Sequence, residues 1–292
     1  MAVSRVGVIG LGIMGSAMAA NLLRAGFTVI GYDPLAACRR RHQRSGGIAA
    51  DSARDVARST GILITSLPSA DALASVAREI SGEKHLRLII VETSTLPILT
   101  KQKARRTLAA AGVTLLDCPL SGTGGQARTG DLAVYASGQR AAFRKAIPVL
   151  KGFSRSRYYL GAFGNGSKMK FAANLLVAIH NVAAAEAVVL ARRSGLDPAL
   201  AVKVLGDGAG SSRMLQVRGP MMARRAYGDA TMKVEVWQKD MKIIGQFLKQ
   251  LGSPAPLFRA TKAVYNAAMA QGHATHDTAA VCAVLEKLGR RP

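Results

Sequence analysis

Arg5-Val6-Gly7-Val8-Ile9-Gly10-Leu11-Gly12-Ile13-Met14-Gly15 is a short apolar run that halts at a glycine turn and leads into a helical pattern through Ala25. Gly26 stops that helix, and Thr28–Tyr32 is a β-branched strand followed at once by Asp33. Strand, Gly-x-Gly-x-x-Gly, helix, strand and acid in one unbroken unit is the full context that a dinucleotide-binding loop requires. The first glycine permits the tight turn and the second lets backbone approach a pyrophosphate. The third packs helix on strand, so the helix N-terminus faces the phosphates. Gly10, Leu11, Gly12, Ile13, Met14 and Gly15 are therefore the expected phosphate cradle. Asp33 is placed to accept from the adenosine ribose hydroxyls, which favours NAD over NADP because it repels a 2′-phosphate. Arg39, Arg40 and Arg41 lie close downstream and temper that preference.

The alternation continues outward. Residues 61–67 read as a buried strand ending at Pro68, with a helix from Ser69. Residues 87–92 are the next strand, followed by Thr93-Ser94-Thr95 and a helix over 97–111, then a strand over 113–117. Near-continuous apolar strands separated by helices signify a parallel sheet covered on both faces. Ligands bind outside the C-terminal ends of such strands, so Leu67, Pro68, Ser94 and Thr95 are expected to line the cofactor. Residues 117–125 form a second glycine-rich loop whose backbone N–H groups can make an anion nest. Segments 132–137 and 157–160 are further strands that complete the first domain.

From Gly164 the strand pattern disappears. Residues 167–194 read as one long helix, apolar nearly all round and so expected to be buried on most faces. Helices follow over 198–205, 213–225, 234–251, 256–271 and 277–288. The expected architecture is an α/β Rossmann domain, residues 1–163, followed by an all-α domain, residues 164–292, that serves substrate binding and oligomerisation. Lys170 and Asn174 sit four residues apart near the start of the long helix, hence on one face. An ammonium and a carboxamide on an Ala/Leu/Val helix are costly to bury without purpose. They read as a proton-transfer group and its orienting partner.

Bulk properties bound the alternatives. The 292 residues carry 49% hydrophobic and 20% charged residues, a globular balance. The net charge of +23 is unusual, but the arginine clusters are scattered and lack interleaved aromatics to stack bases, so no nucleic-acid partner is expected. Cys38, Cys118 and Cys282 fit no zinc or disulfide spacing, which points to a reducing, cytoplasmic setting and no metal. His273 and His276 beside Asp277 lack a third ligand at metal spacing. No run of the roughly 20 apolar residues that span a bilayer is expected. Met1 leads straight into the first strand, leaving no room for a signal peptide. His180 and Trp237 read as core or interface residues. The long apolar helix asks for more cover than one small helical domain supplies, so a homodimer or homotetramer is expected.

With these residues in hand the chain resembles the β-hydroxyacid dehydrogenases, the family of 3-hydroxyisobutyrate dehydrogenase and tartronate semialdehyde reductase. The resemblance spans the chain and rests on residues 10–26, residues 117–130, the Gly164-x-Gly166-x-x-x-Lys170-x-x-x-Asn174 pattern, and Lys239-Asp240-Met241. Two places depart from the family: Thr123 replaces the usual second glycine after Ser121, and Lys242-Ile243-Ile244-Gly245-Gln246 replaces Gly-x-Ala-x-Asp. The resemblance implies hydride transfer between a nicotinamide and a small anionic 3-hydroxy acid. It implies Lys170 as proton donor or acceptor and Asn174 as the residue fixing its geometry. Ser121, Gly122 and Thr123 would hold the substrate carboxylate, and Lys239 would neutralise charge near the cofactor. Ser212, Arg213 and Met232 are lesser candidates near the substrate. The related imine reductases usually carry Asp or Tyr at the position of Lys170, and non-catalytic nucleotide-binding relatives are expected to have lost the lysine.

Overall fold

The computed structural model describes residues 5–85 and 87–288, so the reading of residues 1–4 lies outside the described residues. The chain divides into two compact units, Met1–Lys170 and Phe171–Pro292.

The first unit is built on six strands: β1 (Arg5–Ile9), β2 (Thr28–Tyr32), β3 (Ile48–Ala49), β4 (Ile62–Thr65), β5 (Ile89–Glu92) and β6 (Thr114–Asp117). They run parallel in the order β3-β2-β1-β4-β5-β6. The helices between them are α1 (Ile13–Arg24), α2 (Ala36–Arg44), α3 (Ala53–Ser59), α4 (Ala70–Ser81) and α5 (Ile98–Ala110). Side chains alternate along a strand, so each central strand feeds two cores. Ile64, Val91 and Leu116 pack with Met18 and Leu22 of α1 on one face. Leu63, Ile90 and Leu115 pack with Leu73, Ile80 and Leu108 on the other. Each such fully buried side chain contributes roughly 2 kcal/mol of transfer free energy. Ser52 and Ser69 start α3 and α4 by accepting from the N–H groups of Asp55 and Ala72. Strand order reverses between β1 and β4, which opens the crevice where this architecture takes its ligands.

The segments read as strands over 132–137 and 157–160 do not extend this sheet. They form a second, three-stranded sheet in the order β7-β8-β9, with β7 at Leu120–Ser121, β8 at Ala133–Ala136 and β9 at Ser156–Tyr159. β7 opposes β8 antiparallel, and β8 pairs with β9 in parallel across α7 (Arg140–Lys151). The second glycine-rich loop is thus a two-residue strand followed by a single helical turn, α6 (Gly124–Arg128).

α8 (Asn165–Arg193) begins in the first unit and continues into the second, followed by α9 (Pro198–Asp207), α10 (Arg213–Arg224), α11 (Val234–Leu251), α12 (Pro256–Ala270) and α13 (Val281–Leu288). Asp197 caps α9 ahead of Pro198, and Ser212 caps α10. Two expectations about α8 need correction. It is not buried on most faces, since Leu176 and Leu190 are 50% and 70% exposed. Its length and composition also suffice to cross a membrane, although 44% of its most apolar window is buried inside the protein. Alanine-rich helices reach such hydropathy with small side chains, while Lys170, Asn174 and Asn181 interrupt the apolar surface.

Candidate active site

The loop between β1 and α1 has the geometry that its glycines predict. Gly10 has φ +89°, and a side chain on Gly15 would collide with the Gly10 carbonyl oxygen, so turn and helix meet backbone to backbone. A Cβ on Gly12 would meet no protein atom within 4 Å. Gly12 lends α1 no side-chain cap, and no acidic residue lies in its first turn. An uncapped helix start beside open space suits an anion such as a pyrophosphate.

Asp33 is 8% exposed, and its two carboxylate oxygens accept from the N–H groups of Leu11 at 2.8 Å and Leu35 at 2.9 Å. It therefore ties the glycine loop to the end of β2. Arg39 donates to the carbonyl of Asp33 at 2.7 Å, and Arg41 to the carbonyl of Leu11 at 2.8 Å. Two of the three clustered arginines thus hold the loop backbone.

At the ends of β4 and β5, Leu67 is half-buried and Pro68 exposed, while Ser94 is buried and Thr95 half-buried. The N–H of Leu67 donates to Ser94 Oγ at 2.8 Å, joining the two strand ends. After β6, Ser121 and Gly122 are half-buried. Thr123 is engaged in a capping box: its Oγ1 accepts from Gln126 N–H, and Gln126 Oε1 accepts from Thr123 N–H at 3.0 Å. The hydroxyl that replaces the family's glycine therefore serves α6.

A buried charge cluster beneath these loops was not read from the sequence. Glu92 and Asp117 are register partners at the ends of β5 and β6, and both are fully buried. Lys101 of α5, 0% exposed, places its ammonium 2.8 Å from Asp117 Oδ1 and 2.6 Å from Glu92 Oε2. Burial alone would depress the lysine's pKa, but the two carboxylates more than reverse that, and the net shift is upward. The available signal was that two acids ending adjacent parallel strands demand a cation between them. Next to Asp117, burial pushes the Cys118 thiol pKa up, so it is no nucleophile.

Lys170, half-buried, stands at the end of the first unit. In the second unit Asn174 is 3% exposed, and its Nδ2 donates to Asp240 Oδ2 at 2.9 Å. Lys239 Nζ lies 3.7 Å from Asp240 Oδ1. Asp240 thus joins two residues singled out separately, Asn174 and Lys239. Phe171 packs edge-on against Phe247, with ring centroids 5.2 Å apart, pinning α8 to α11. Trp237, 3% exposed, is a core residue as expected.

The lesser candidates have local partners. Ser212 accepts from Leu215 N–H at 3.1 Å, and the N–H of Met232 donates to Asp277 at 3.1 Å. Arg213 is exposed and His180 half-buried. His273 and His276 face each other with their Nδ1 atoms 2.9 Å apart. No cluster of three metal-ligating side chains occurs among the described residues.

Comparison with known proteins bears on this arrangement. Residues 5–161 match the family model of the NAD binding domain of 6-phosphogluconate dehydrogenase. Residues 164–285 match that of the NAD-binding region of NADP-dependent 3-hydroxyisobutyrate dehydrogenase. The chain is 31% identical to the L-threonate dehydrogenase of Cupriavidus necator over 94% of both chains. A crystal structure of 3-hydroxyisobutyrate dehydrogenase from Salmonella typhimurium superposes with a TM-score of 0.86 at 29% identity, covering 96% of this chain and 99% of that one. An imine reductase from a Pseudomonas species covers 97% and 99% at a TM-score of 0.65, but its 19% identity speaks to fold alone.

Proposed function

The chain belongs to the β-hydroxyacid dehydrogenases, NAD(P)-dependent oxidoreductases of small hydroxy acids, and from that premise we propose that Lys170 exchanges the proton of a 3-hydroxy acid substrate. The observation that carries the reading is the buried Asn174 amide, held by Asp240 one helical turn beyond half-buried Lys170. A nicotinamide, when bound, supplies the two-electron hydride acceptor or donor. The chain's own part is the proton. In oxidation the neutral Lys170 amine accepts it from the hydroxyl as the carbonyl forms, and in reduction the ammonium returns it. Asn174 keeps that geometry productive. Ser121, Gly122 and the backbone at Thr123 hold the substrate carboxylate, and Lys239 balances charge near the cofactor and substrate.

The dinucleotide is held by residues 10–15 at the start of α1, with Leu67, Pro68 and Thr95 along its length. NAD is the preferred form in this reading. Asp33 presents a carboxylate to the ribose, while Arg39 and Arg41 are committed to backbone carbonyls and so less available to a 2′-phosphate. Residues 1–163 are the cofactor domain and residues 164–292 the substrate and assembly domain. The apolar surface of Leu190, Leu196, Leu200 and Val204, each more than half exposed, supports a homodimer or homotetramer. Three unpaired cysteines suit a reducing, cytoplasmic setting, and the reading includes no nucleic-acid or membrane partner.

The test is nicotinamide reduction with NAD and NADP across a panel of 3-hydroxyisobutyrate, glycerate, serine, 3-hydroxypropionate and threonate. Lys170→Ala is expected to lose about 10²–10⁴-fold in kcat while still binding NADH. A Lys170→Ala protein as active as the parent would refute the assignment.

A further inference from the structure

The buried Glu92, Lys101 and Asp117 side chains take no part in the proton transfer proposed above, yet their hydrogen bonds run to both sides of the site. Three buried charges are a poor way to stabilise a core, because apolar groups of similar volume serve as well or better. Their contacts indicate another use. Asp117 Oδ1 accepts from Lys101 Nζ at 2.8 Å and Ser167 Oγ at 2.7 Å, and its Oδ2 from Ser167 N–H at 2.8 Å and Ser137 Oγ at 3.1 Å. Ser137 Oγ in turn accepts from Gly166 N–H at 2.9 Å. Two first-turn donors of α8 therefore end on this cluster. A Cβ on Gly166 would stand only 2.6 Å from the Asp117 carbonyl oxygen, so the helix approaches the end of β6 as closely as glycine permits. In the other direction, Glu92 Oε1 accepts from Ser94 N–H at 2.9 Å, and Ser94 Oγ accepts from Leu67 N–H at 2.8 Å. One cation against two carboxylates leaves a net negative charge, the sign that a helix N-terminus favours.

We propose that Glu92, Lys101 and Asp117 are positioning residues. They lock the first turn of α8, three residues before Lys170, to the strand ends that carry Leu67 and Ser94. The lysine's helix and the cofactor-side loops then share one rigid base. The functional half of this inference rests on the reading of Lys170 as the proton carrier, whereas the locking does not.

Deuterium exchange of backbone amides tests the locking without any turnover. In Asp117→Asn, the amides of residues 165–170 should exchange at least about tenfold faster while those of β1 and β4 keep their protection. Ser167→Ala removes one hydroxyl and should loosen the same segment by a smaller factor, which keeps the test available if Asp117→Asn fails to fold. Exchange that is unchanged in both variants, or that rises equally throughout the sheet, overturns the proposal. Kinetics test the functional half. Asp117→Asn should lower kcat about tenfold or more with the NADH dissociation constant within about threefold of the parent. Lys101→Arg should recover activity that Lys101→Met loses. Loss of NADH binding in step with kcat, or no rescue by arginine, overturns the positioning role. A parent that binds NADH and turns over no substrate defeats the Lys170 reading alone, and the exchange data still decide the locking.

Discussion

Nδ2 of Asn174 donates to Oδ2 of Asp240 at 2.9 Å, and a carboxylate can only accept, so this contact fixes which end of the asparagine amide faces it. Asp240 is thereby a partner of the proposed catalytic helix as well as a neighbour of Lys239.

Asp240→Asn should therefore free the Asn174 amide to turn. Steady-state kinetics are expected to show kcat falling about tenfold or more with cofactor affinity little changed. Asp240→Leu leaves a buried donor unpaired and should also cost about 1–3 kcal/mol in denaturant unfolding. Unaltered kcat in Asp240→Asn would separate Asn174's orientation from turnover.

The glycine loop separates folding from binding. A methyl on Gly12 points into open space, so Gly12→Ala should unfold at nearly the parent temperature and bind NADH at least about tenfold more weakly. Gly15→Ala forces a side chain onto the Gly10 carbonyl and should lose stability by several kcal/mol. Thermal melts and fluorescence titration of the same two proteins check both statements.

Asp33 holds the glycine loop through Leu11 and Leu35, and in the proposed reading it also selects NAD. Asp33→Ser should raise the KM for NAD about tenfold and that for NADP by less, read as the ratio of the two kcat/KM values. The same change removes the acceptor for Leu11 N–H, so the melting temperature should fall as well.

In the second unit Asp277 opposes Arg218, whose side chain is 3% exposed, at 3.1 Å. Burial works against the carboxylate, but Arg218, the N–H groups of Ala279 and Met232, and Thr231 outweigh it and hold its pKa below the ordinary 3.8. With a depressed folded-state value, the stability it brings is present above pH 3.8 and is lost as pH falls through the folded pKa. Asp277→Ala strands a buried guanidinium and should cost about 3–5 kcal/mol near neutral pH, less toward pH 3. Urea titrations at the two pH values would measure the difference.

The nucleotide sheet was legible in the sequence because each strand announces itself by an apolar run ending at Gly, Pro or an acid. That Lys170 and Asn174 lie one turn apart on one helix was legible because helical spacing is short-range. The second sheet was not, since β7 is two residues long and gains its identity only by pairing with β8. The capping box between Thr123 and Gln126 was not legible either, since nothing in the apolar pattern marks the single turn of α6 that it starts. The buried cluster was hidden for a different reason. Lys101 lies on a helix between its two acids, and only the parallel register that sets Glu92 beside Asp117 reveals why it is there.

The boundary between the two compact units falls between Lys170 and Phe171, inside α8. This bears on the exchange of modules between relatives. A crossover at the apparent seam would inherit Lys170, the proposed proton carrier, from one parent and Asn174 with Asp240 from the other. Grafting a foreign N-terminal half onto this C-terminal half keeps Lys170 with Asn174 only if the splice precedes Lys170, and a splice before Asn165 keeps the whole of α8. With that earlier splice the donor half must carry, at the end of its β6, a carboxylate able to receive Ser167, as Asp117 does here. Recombination in such a chain is confined by a hydrogen bond rather than by a linker.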